Sequence, residues 1–493
     1  MKKYLSIFLC ALLVLGLCAC GESGAKADPN ALQAGFSRID CIPDDPLVHI
    51  AGGNATDDPA TDGLLDNLAV TCIALKKGDQ TFLIYTCDIV DIVDFYKVVN
   101  QAVEKETGVS AENIILNATH THSAPTLKPG DINLPGSANY TAKFTTACVD
   151  TAKEAIADLS AVGEISYGSV MTEHMVRVRH YRMNDGSTYG NGHGTSDGLA
   201  SGYKEHLYPS DEECQVIRIS RTAEDKKDIV LFNLGAHATI VSGTNTSALS
   251  ADFPFPARQY IEENADVHAA YFIAAAGDQT PGSKIPGEIT NKNHFAYGEQ
   301  LGAYVVDVLE SGMTASTTSD IKYHAESYVA KRNKDGTDDP DRVAKAGEIV
   351  ALKKANGNSV NADVKAKIKE YGFNSIYEAS SLVSRSSAPA TGSFPIGTMM
   401  LGDLGIVFFP GEMFGSQGRQ LKDESPAPFT FVITCSEDDQ GYYPNATGKE
   451  ENFYEYQITK YEMGTGEAVA TRYCEVLKAM IEGTEIPALP AAE

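Results

Sequence analysis

The apolar and polar positions of this chain fall into short continuous runs separated by stretches with helical spacing. From about residue 64 to 92, "LLDNLAVTCIALKKGDQTFLIYTCDIVD" reads as two strands joined at Lys77-Gly78-Asp79, the second a continuous apolar run of the buried kind. Residues 93–107, "VDFYKVVNQAVEKET", carry apolar residues at helical spacing and stop at Gly108, after which the strand "NIILNATHTH" follows. Strand, helix and strand in that order predict a βαβ unit with histidines at the carboxyl end of its second strand. Residues 139–158 form a second amphipathic helix, and "CQVIRISR" with "DIVLFNLGAHAT" forms a hairpin that ends at His237. Residues 254–264 are helical, and "AAYFIAAAGDQTPG" is a buried strand running into a turn. From about 325 to 390 the pattern becomes Lys/Ala/Glu-rich and helical, which predicts a surface helical insertion. "GTMMLGDLGIVFFPGEMFG" restores two strands ending at Pro410-Gly411-Glu412, "TFVITCSEDDQGYYPN" adds a strand and turn, and a last helix covers about 465–482. The alternation predicts an α/β fold, mixed β-sheets flanked by helices, with residues 35–493 as one large domain because no composition break divides them.

The first residues follow a different logic. Lys2 and Lys3, an apolar stretch from Tyr4 to Leu17 and "LCAC" make residues 1–19 a secretory signal peptide, too short to span a bilayer with the right flanks. The Leu-x-Ala-Cys form resembles a bacterial lipobox, which implies lipidation of Cys20 and an extracytoplasmic protein anchored to the bacterial cell membrane. Residues 20–34 are small and polar and read as a tether. Net charge is -26 over 493 residues and becomes -28 once Lys2 and Lys3 leave with the signal. With no Lys/Arg cluster, this argues against a nucleic-acid partner. Beyond Cys10, Cys18 and Cys20, the cysteines are Cys41, Cys72, Cys87, Cys148, Cys214, Cys435 and Cys474. They are scattered without a CxxC pair, so neither a disulfide framework nor a cysteine-based zinc site is expected, and several read as buried small hydrophobes.

Chemistry concentrates where apolar strands end. Histidines one residue apart on an extended strand point to opposite faces, so His120 and His122 in "NATHTHSAP" are not expected to bind the same ion. One would bind metal while the other hydrogen-bonds or transfers a proton. His237 ends a strand in the same way. Glu412 follows a very apolar strand and would be costly to bury unless paired or metal-bound. A His/His/Glu set suits Zn2+, although spacing of this kind is no compact motif.

Six blocks in order resemble the catalytic domain of the neutral/alkaline, non-lysosomal ceramidases, from about residue 35 to 465. They are "DGLLDNLAV" with "FLIYTCDIV", "NATHTHSAP", "VRHYRMNDG", "LGAHATIVSG" with "LSADFPFPARQYIEE", "AAAGDQTPG" and "FFPGEMFG". The resemblance implies Zn2+ bound by His120, His237, Glu412 and a tyrosine, with Tyr442 of "GYYPN" the candidate and Tyr443 the alternative. It implies His122 as the catalytic histidine and Arg179 as the matching arginine, with Arg177 and Arg182 as alternatives and Val178 where the family has asparagine. Tyr461 matches the family's later tyrosine, and Thr280 stands where the family has a serine. The sequence ends soon after the last block, so the family's C-terminal immunoglobulin-like domain is not expected.

The activity implied is zinc-assisted hydrolysis of a linear N-acyl amide, ceramide-like or related. His122 or a carboxylate would handle the proton, and Tyr461 with a backbone N–H of Gly52 or Gly53 would steady the oxyanion. Two other readings fit the same residues: an exported lipoprotein that binds such a substrate without turnover, and a zinc hydrolase of another amide or an ester.

Overall fold

The apolar runs pair into two mixed sheets. The computed structural model describes residues 30–489 apart from Pro46, 52–59, 128–134, 191–201, 289–291 and Asn452. The first sheet takes β1 (Gln33–Asp40), β2 (Ala69–Lys77), β3 (Gln80–Cys87), β4 (Ile114–Ile115), β5 (Ser160–Met171), β6 (Glu213–Arg221), β7 (Asp228–Leu234) and β8 (Val267–Ile273). Their spatial order is β8-β7-β6-β5-β1-β2-β3-β4, with Thr314–Ala315 added against β5. Only β3 with β4 and β7 with β8 run parallel. Parallel neighbours need a crossover, and here each has its helix. α1 (Tyr96–Thr107) joins the first pair and is ended by left-handed Gly108, as its sequence predicts. After α2 (Pro135–Ala157), α3 (Pro254–Ala265) joins the second pair, and α4 (His294–Ser311) follows.

The second sheet is β9 (Ile321–Lys331), β10 (Thr391–Leu401), β11 (Leu404–Phe408) and β12 (Thr430–Ile433), in that spatial order. β11 and β12 are parallel, with the helix Gly415–Glu424 between them in sequence. The sheets pack face to face: Ile73, Ile84, Ile217, Leu231 and Phe272 of the first share one apolar cluster with Met399, Ile406, Phe408, Phe431 and Ile433 of the second. Helices cover the outer faces. Val99, Phe144, Ile261 and Leu301 from α1 to α4 pack on the first sheet, and Val469, Tyr473 and Leu477 of the C-terminal helix pack on the second. Four layers of helix, sheet, sheet and helix explain why the inner strands read as continuous apolar runs, since both of their faces are buried.

The helical insertion is shorter than its sequence suggests. All of β9 pairs with β10, so residues 325–331 are strand, and helices occupy Pro340–Ala355, Ala362–Glu370 and Ile376–Ser387. β9 lies at the sheet edge, where outward Lys322 and Lys331 belong, and such charge on an edge strand imitates a helical surface. The three helices enclose a small core of their own around Ile349, Val364, Phe373 and Leu382. β1 begins at Gln33, within the expected tether, while the expected signal and Cys20 lie outside the described residues. Among the described residues no helix is long and apolar enough to cross a membrane. The seven cysteines from Cys41 onward are free thiols, and all but Cys474 are buried.

The inter-sheet layer makes a direct prediction. Phe272 is fully buried and meets the ring of Phe431 edge-on with centroids 6.2 Å apart. Phe272→Ala should cost about 3–5 kcal/mol, read as a lower urea midpoint with an unchanged slope.

Candidate metal centre

The carboxyl ends of β4, β7, β8, β11 and β12 deliver the residues singled out from the sequence, as is usual for sites in open α/β sheets. Short links beyond those ends stitch the segments together. Thr121 bridges Ala238, and His122 N donates to Ala238 O at 3.0 Å, which sets the "THTH" and "GAHA" stretches side by side. Glu412–Met413 pairs in parallel with Tyr442–Tyr443, and Gly277 N donates to Met413 O at 2.8 Å. Ala118 N donates to Cys435 O at 3.1 Å, which ties the first sheet to the second.

His120 and His122 face the same way. β4 ends at Ile115, and His120 takes a left-handed φ of 61°, so the strand alternation that would separate the two rings does not operate. Their Nε2 atoms lie 3.2 Å apart, and ring-centroid distances to His237 are 4.9 Å from His120 and 5.6 Å from His122. The expectation that strand alternation points the two rings to opposite faces is therefore corrected: ligand nitrogens of all three histidines converge. The left-handed conformation costs a non-glycine residue about 1–2 kcal/mol. Contacts offset that cost: His120 Nδ1–H donates to Val90 O at 2.7 Å, and His237 Nδ1–H donates to Gln279 O at 2.9 Å. Both rings thus present an Nε2 lone pair to the site, the tautomer that metal-binding histidines adopt.

Glu412 completes the cluster. Its Oε2 lies 3.4 Å from His120 Nε2 and 3.0 Å from His237 Nε2, in a residue only 8 % exposed, yet it makes no hydrogen bond. Burial works against the Glu412 charge, but His120 and His237 outweigh it and hold the carboxyl well below its ordinary range. Burial likewise opposes charge on His120, which the neighbouring Cys435 and Glu412 nonetheless raise well above 6.5. His122 is pushed down by burial and by His120, and His237 by burial and by Arg179. An orphaned buried carboxylate oxygen beside converging imidazole nitrogens fits a divalent cation.

The flanking assignments sort themselves by contact. Tyr442 stands opposite Glu412 in the strand register, with the Arg179 guanidinium 5.5 Å from its ring. Burial and the nearby Glu412 push its phenol well above 10. Tyr443 turns away, stacked on Tyr461 at 5.7 Å, so of the two Tyr442 is at the centre. Tyr461 is fully buried among Phe394, Tyr443 and the Arg332 guanidinium, its hydroxyl without a hydrogen bond among the described residues. Arg179 reaches the site: Nη1 lies 3.4 Å from His237 Nε2, Nη2 donates to Gly277 O at 2.8 Å and Nε to Glu455 Oε1 at 2.7 Å. Arg177 pairs with Glu288, and Arg182 bonds Gly186 O. Thr280 is half-buried in a short pairing with Arg177, and Gly52 and Gly53 lie outside the described residues.

Three site residues escaped the sequence reading. Glu455 is fully buried, holds Arg179 and sits 3.0 Å from His180 Nε2. Burial opposes its charge, but Arg179 and His180 bring it from 4.5 to about 2. Its signal was present, an acidic residue inside the aromatic run "NFYEYQI". Cys435 and Asp439 lie with His120 in a second group of ligand atoms within 4.8 Å of one another. Burial pushes the Cys435 thiol up to about 12, and burial together with Glu412 pushes Asp439 to about 6.

No protein-family model matches the chain, and no curated protein sequence does. Solved structures do. A ceramidase complexed with C2 aligns with a TM-score of 0.66 at 15% identity, covering 94% of this chain and 77% of that one. The neutral ceramidase from Pseudomonas aeruginosa aligns with a TM-score of 0.65, at the same identity and coverage. The chain has the neutral ceramidase fold. The ceramidase-like blocks of the sequence carry His120, His122, Arg179, His237, Gly277 and Glu412, which this fold gathers at one end of the sandwich.

Two variants test this geometry. A Cβ at Gly277 would stand 2.5 Å from Glu412 O, so Gly277→Ala must displace the Glu412 backbone. It should weaken metal binding while leaving the far-ultraviolet circular dichroism unchanged. Glu455, held near 2 rather than 4.5, contributes stability in full above about 4.5, and this is lost as pH falls towards 2. Glu455→Gln should therefore cost about 3 kcal/mol at pH 7 by urea unfolding, and the gap from wild type should narrow steadily on acidification through that window.

Proposed function

We propose that the protein is an extracytoplasmic, lipid-anchored zinc hydrolase that cleaves the linear amide of a ceramide-like lipid. The observation that carries this reading is the meeting of three imidazole nitrogens with the unpartnered Glu412 oxygen, at the carboxyl ends of both sheets of a ceramidase fold. Nε2 of His120 and His237, the Glu412 carboxylate and the Tyr442 phenol would hold the ion, a nitrogen and oxygen donor set that suits zinc. When bound, zinc lowers the pKa of a water and polarises a carbonyl.

The chain's own residues would do the rest. His122, kept neutral by burial and by its two histidine neighbours, would accept the proton of the attacking water at Nε2. It would return that proton to the departing nitrogen as the C–N bond breaks, leaving a carboxylic acid and an amine. Arg179, anchored by Glu455 and Gly277 O, keeps a positive charge fixed beside His237 and Tyr442, where an oxyanion develops. The Thr280 hydroxyl, half-buried and without a hydrogen-bond partner among the described residues, is available to a substrate polar group. Lipidation at Cys20, suggested by "LCAC", would hold this body close to a membrane in which such a lipid resides.

The test is turnover by the purified chain of matched N-acyl amide and ester substrates, before and after chelation, beside His120→Ala and Glu412→Ala. The expected result is amide cleavage that chelation and either substitution reduce by at least about a thousandfold, and that zinc restores in the unsubstituted chain only. Activity that survives all three treatments would exclude the metal mechanism. A chain that binds zinc and the lipid without turnover would be a substrate-binding protein instead.

A further inference from the structure

We propose that the cation held by His120 also has a sulfur ligand, Cys435 Sγ, with the Asp439 carboxylate beside it. This rests on the metal-centre reading above and goes beyond it, because the resemblance to ceramidases implies only imidazole, carboxylate and phenol donors. Both residues lie in "TCSEDDQGYY", between the end of β12 and Tyr442.

The geometry starts from His120. Its Nδ1–H is committed to Val90 O, so Nε2 is the only nitrogen with a lone pair to give, and one lone pair serves one cation. On this assignment one cation at that nitrogen draws on both ligand groups that share His120, one with His122 and His237 and the other with Cys435 and Asp439. In the second group the ligand atoms lie within 4.8 Å of one another, and all three residues are buried, at 4 %, 1 % and 6 % exposure. The centre of an equilateral triangle with that side is about 2.8 Å from each corner, against bonded Zn–N and Zn–S distances of about 2.0–2.3 Å. Small side-chain rotations close the difference. Glu412 Oε2, unpartnered and more than nine-tenths buried, adjoins the same His120 nitrogen.

The backbone of Cys435 is fixed by the segments that carry the other donors. Its N–H donates to Gly411 O at 3.0 Å, next to Glu412, and its carbonyl accepts from Ala118 N, two residues before His120. Asp439 Oδ1 accepts from Gly441 N at 2.7 Å, which holds the carboxylate close to Cys435 and His120. On coordination the Cys435 S–H bond breaks, its proton leaves to water, and the sulfur lone pair forms the bond to the metal, with no change of oxidation state. Thiolate and Glu412 together neutralise a divalent ion. A sulfur donor also biases the centre towards zinc, cobalt and cadmium over magnesium and calcium.

The experiment titrates the metal-free full-length protein with Co2+ and reads its near-ultraviolet and visible spectrum. One cobalt per chain with a sulfur-to-cobalt charge-transfer band is expected, together with a sulfur scatterer at about 2.3 Å in X-ray absorption of the zinc form. Cys435→Ser should bind cobalt without the band, and Asp439→Asn should keep it. One cobalt bound to the unsubstituted chain with no band overturns the sulfur ligand while leaving the metal centre intact, and so does a band that persists in Cys435→Ser. No cobalt binding at all overturns both readings. The decisive spectra come from the unsubstituted protein, so a variant that fails to fold leaves them standing.

Discussion

The centre depends on a buried carboxylate that faces ring nitrogens instead of N–H donors. Glu412 Oε2 stands against Nε2 of His120 and His237, and both rings have already committed Nδ1–H to a backbone carbonyl. Two lone pairs and an anion in a water-poor pocket repel one another unless something positive lies between them. A proton can do this for one pair only. A divalent cation would do it for all of them at once, so the donor set fits a metal. Burial lowers the proton affinity of His122 and His237 first, and neighbouring positive charge, His120 for the one and Arg179 for the other, lowers it further.

Holding donors in this way requires a backbone that regular strands do not supply. His120 and Cys435 both adopt left-handed conformations, with φ of 61° and 53°, just beyond the last paired residues of β4 and β12. Strain of this kind survives only where the surroundings over-determine it. Here the Thr121–Ala238 bridge, the Ala118–Cys435 hydrogen bond and the Asn117–Ser436 bridge do so. Behind them, Gly277 allows its own segment to lie against the Glu412 carbonyl, and the Gln279 side chain bonds Gly235 O and Ala275 O. The rigid part of the site is thus a lattice of main-chain contacts, and the imidazoles are carried on it.

Much of this was legible in the sequence, and the gaps have physical causes. The βαβ unit, the hairpin ending near His237 and the two-sheet, helix-flanked architecture follow from apolar periodicity, because strands buried on both faces and helices buried on one leave distinct patterns. Glu412 was visible as an acid straight after an apolar strand. By the same logic Glu455, inside an aromatic run, could have been found. The direction of the two histidines could not: it turns on one positive φ in "NATHTHSAP", at a residue type with no glycine-like preference to announce it. Tyr442 and Tyr443 are separable only when the register opposite Glu412–Met413 is known, because strand alternation then sends one to the centre and the other to the aromatic cluster. β9 reads as part of a helical insertion because its partner β10 lies beyond three intervening helices, and an edge strand wears the charges of a surface helix.

The distribution of donors between the sheets has a consequence for the whole molecule. His120, His122 and His237 extend from the first sheet, and Glu412, Tyr442 and Cys435 from the second. A cation bound by both sets is a cross-link between the layers, at the end where the apolar interface of Phe272 and Phe431 gives way to polar residues. Any such cross-link stabilises the folded state in proportion to the logarithm of free metal over its dissociation constant. Site and core are then coupled: loosening the sheet interface spreads the donors, and tightening the centre clamps the sheets. Core positions need only volume and apolarity, which is compatible with the fold being shared at 15% identity. The strand ends would tolerate far less, because a cation cross-link depends on donors from both sheets meeting at one point.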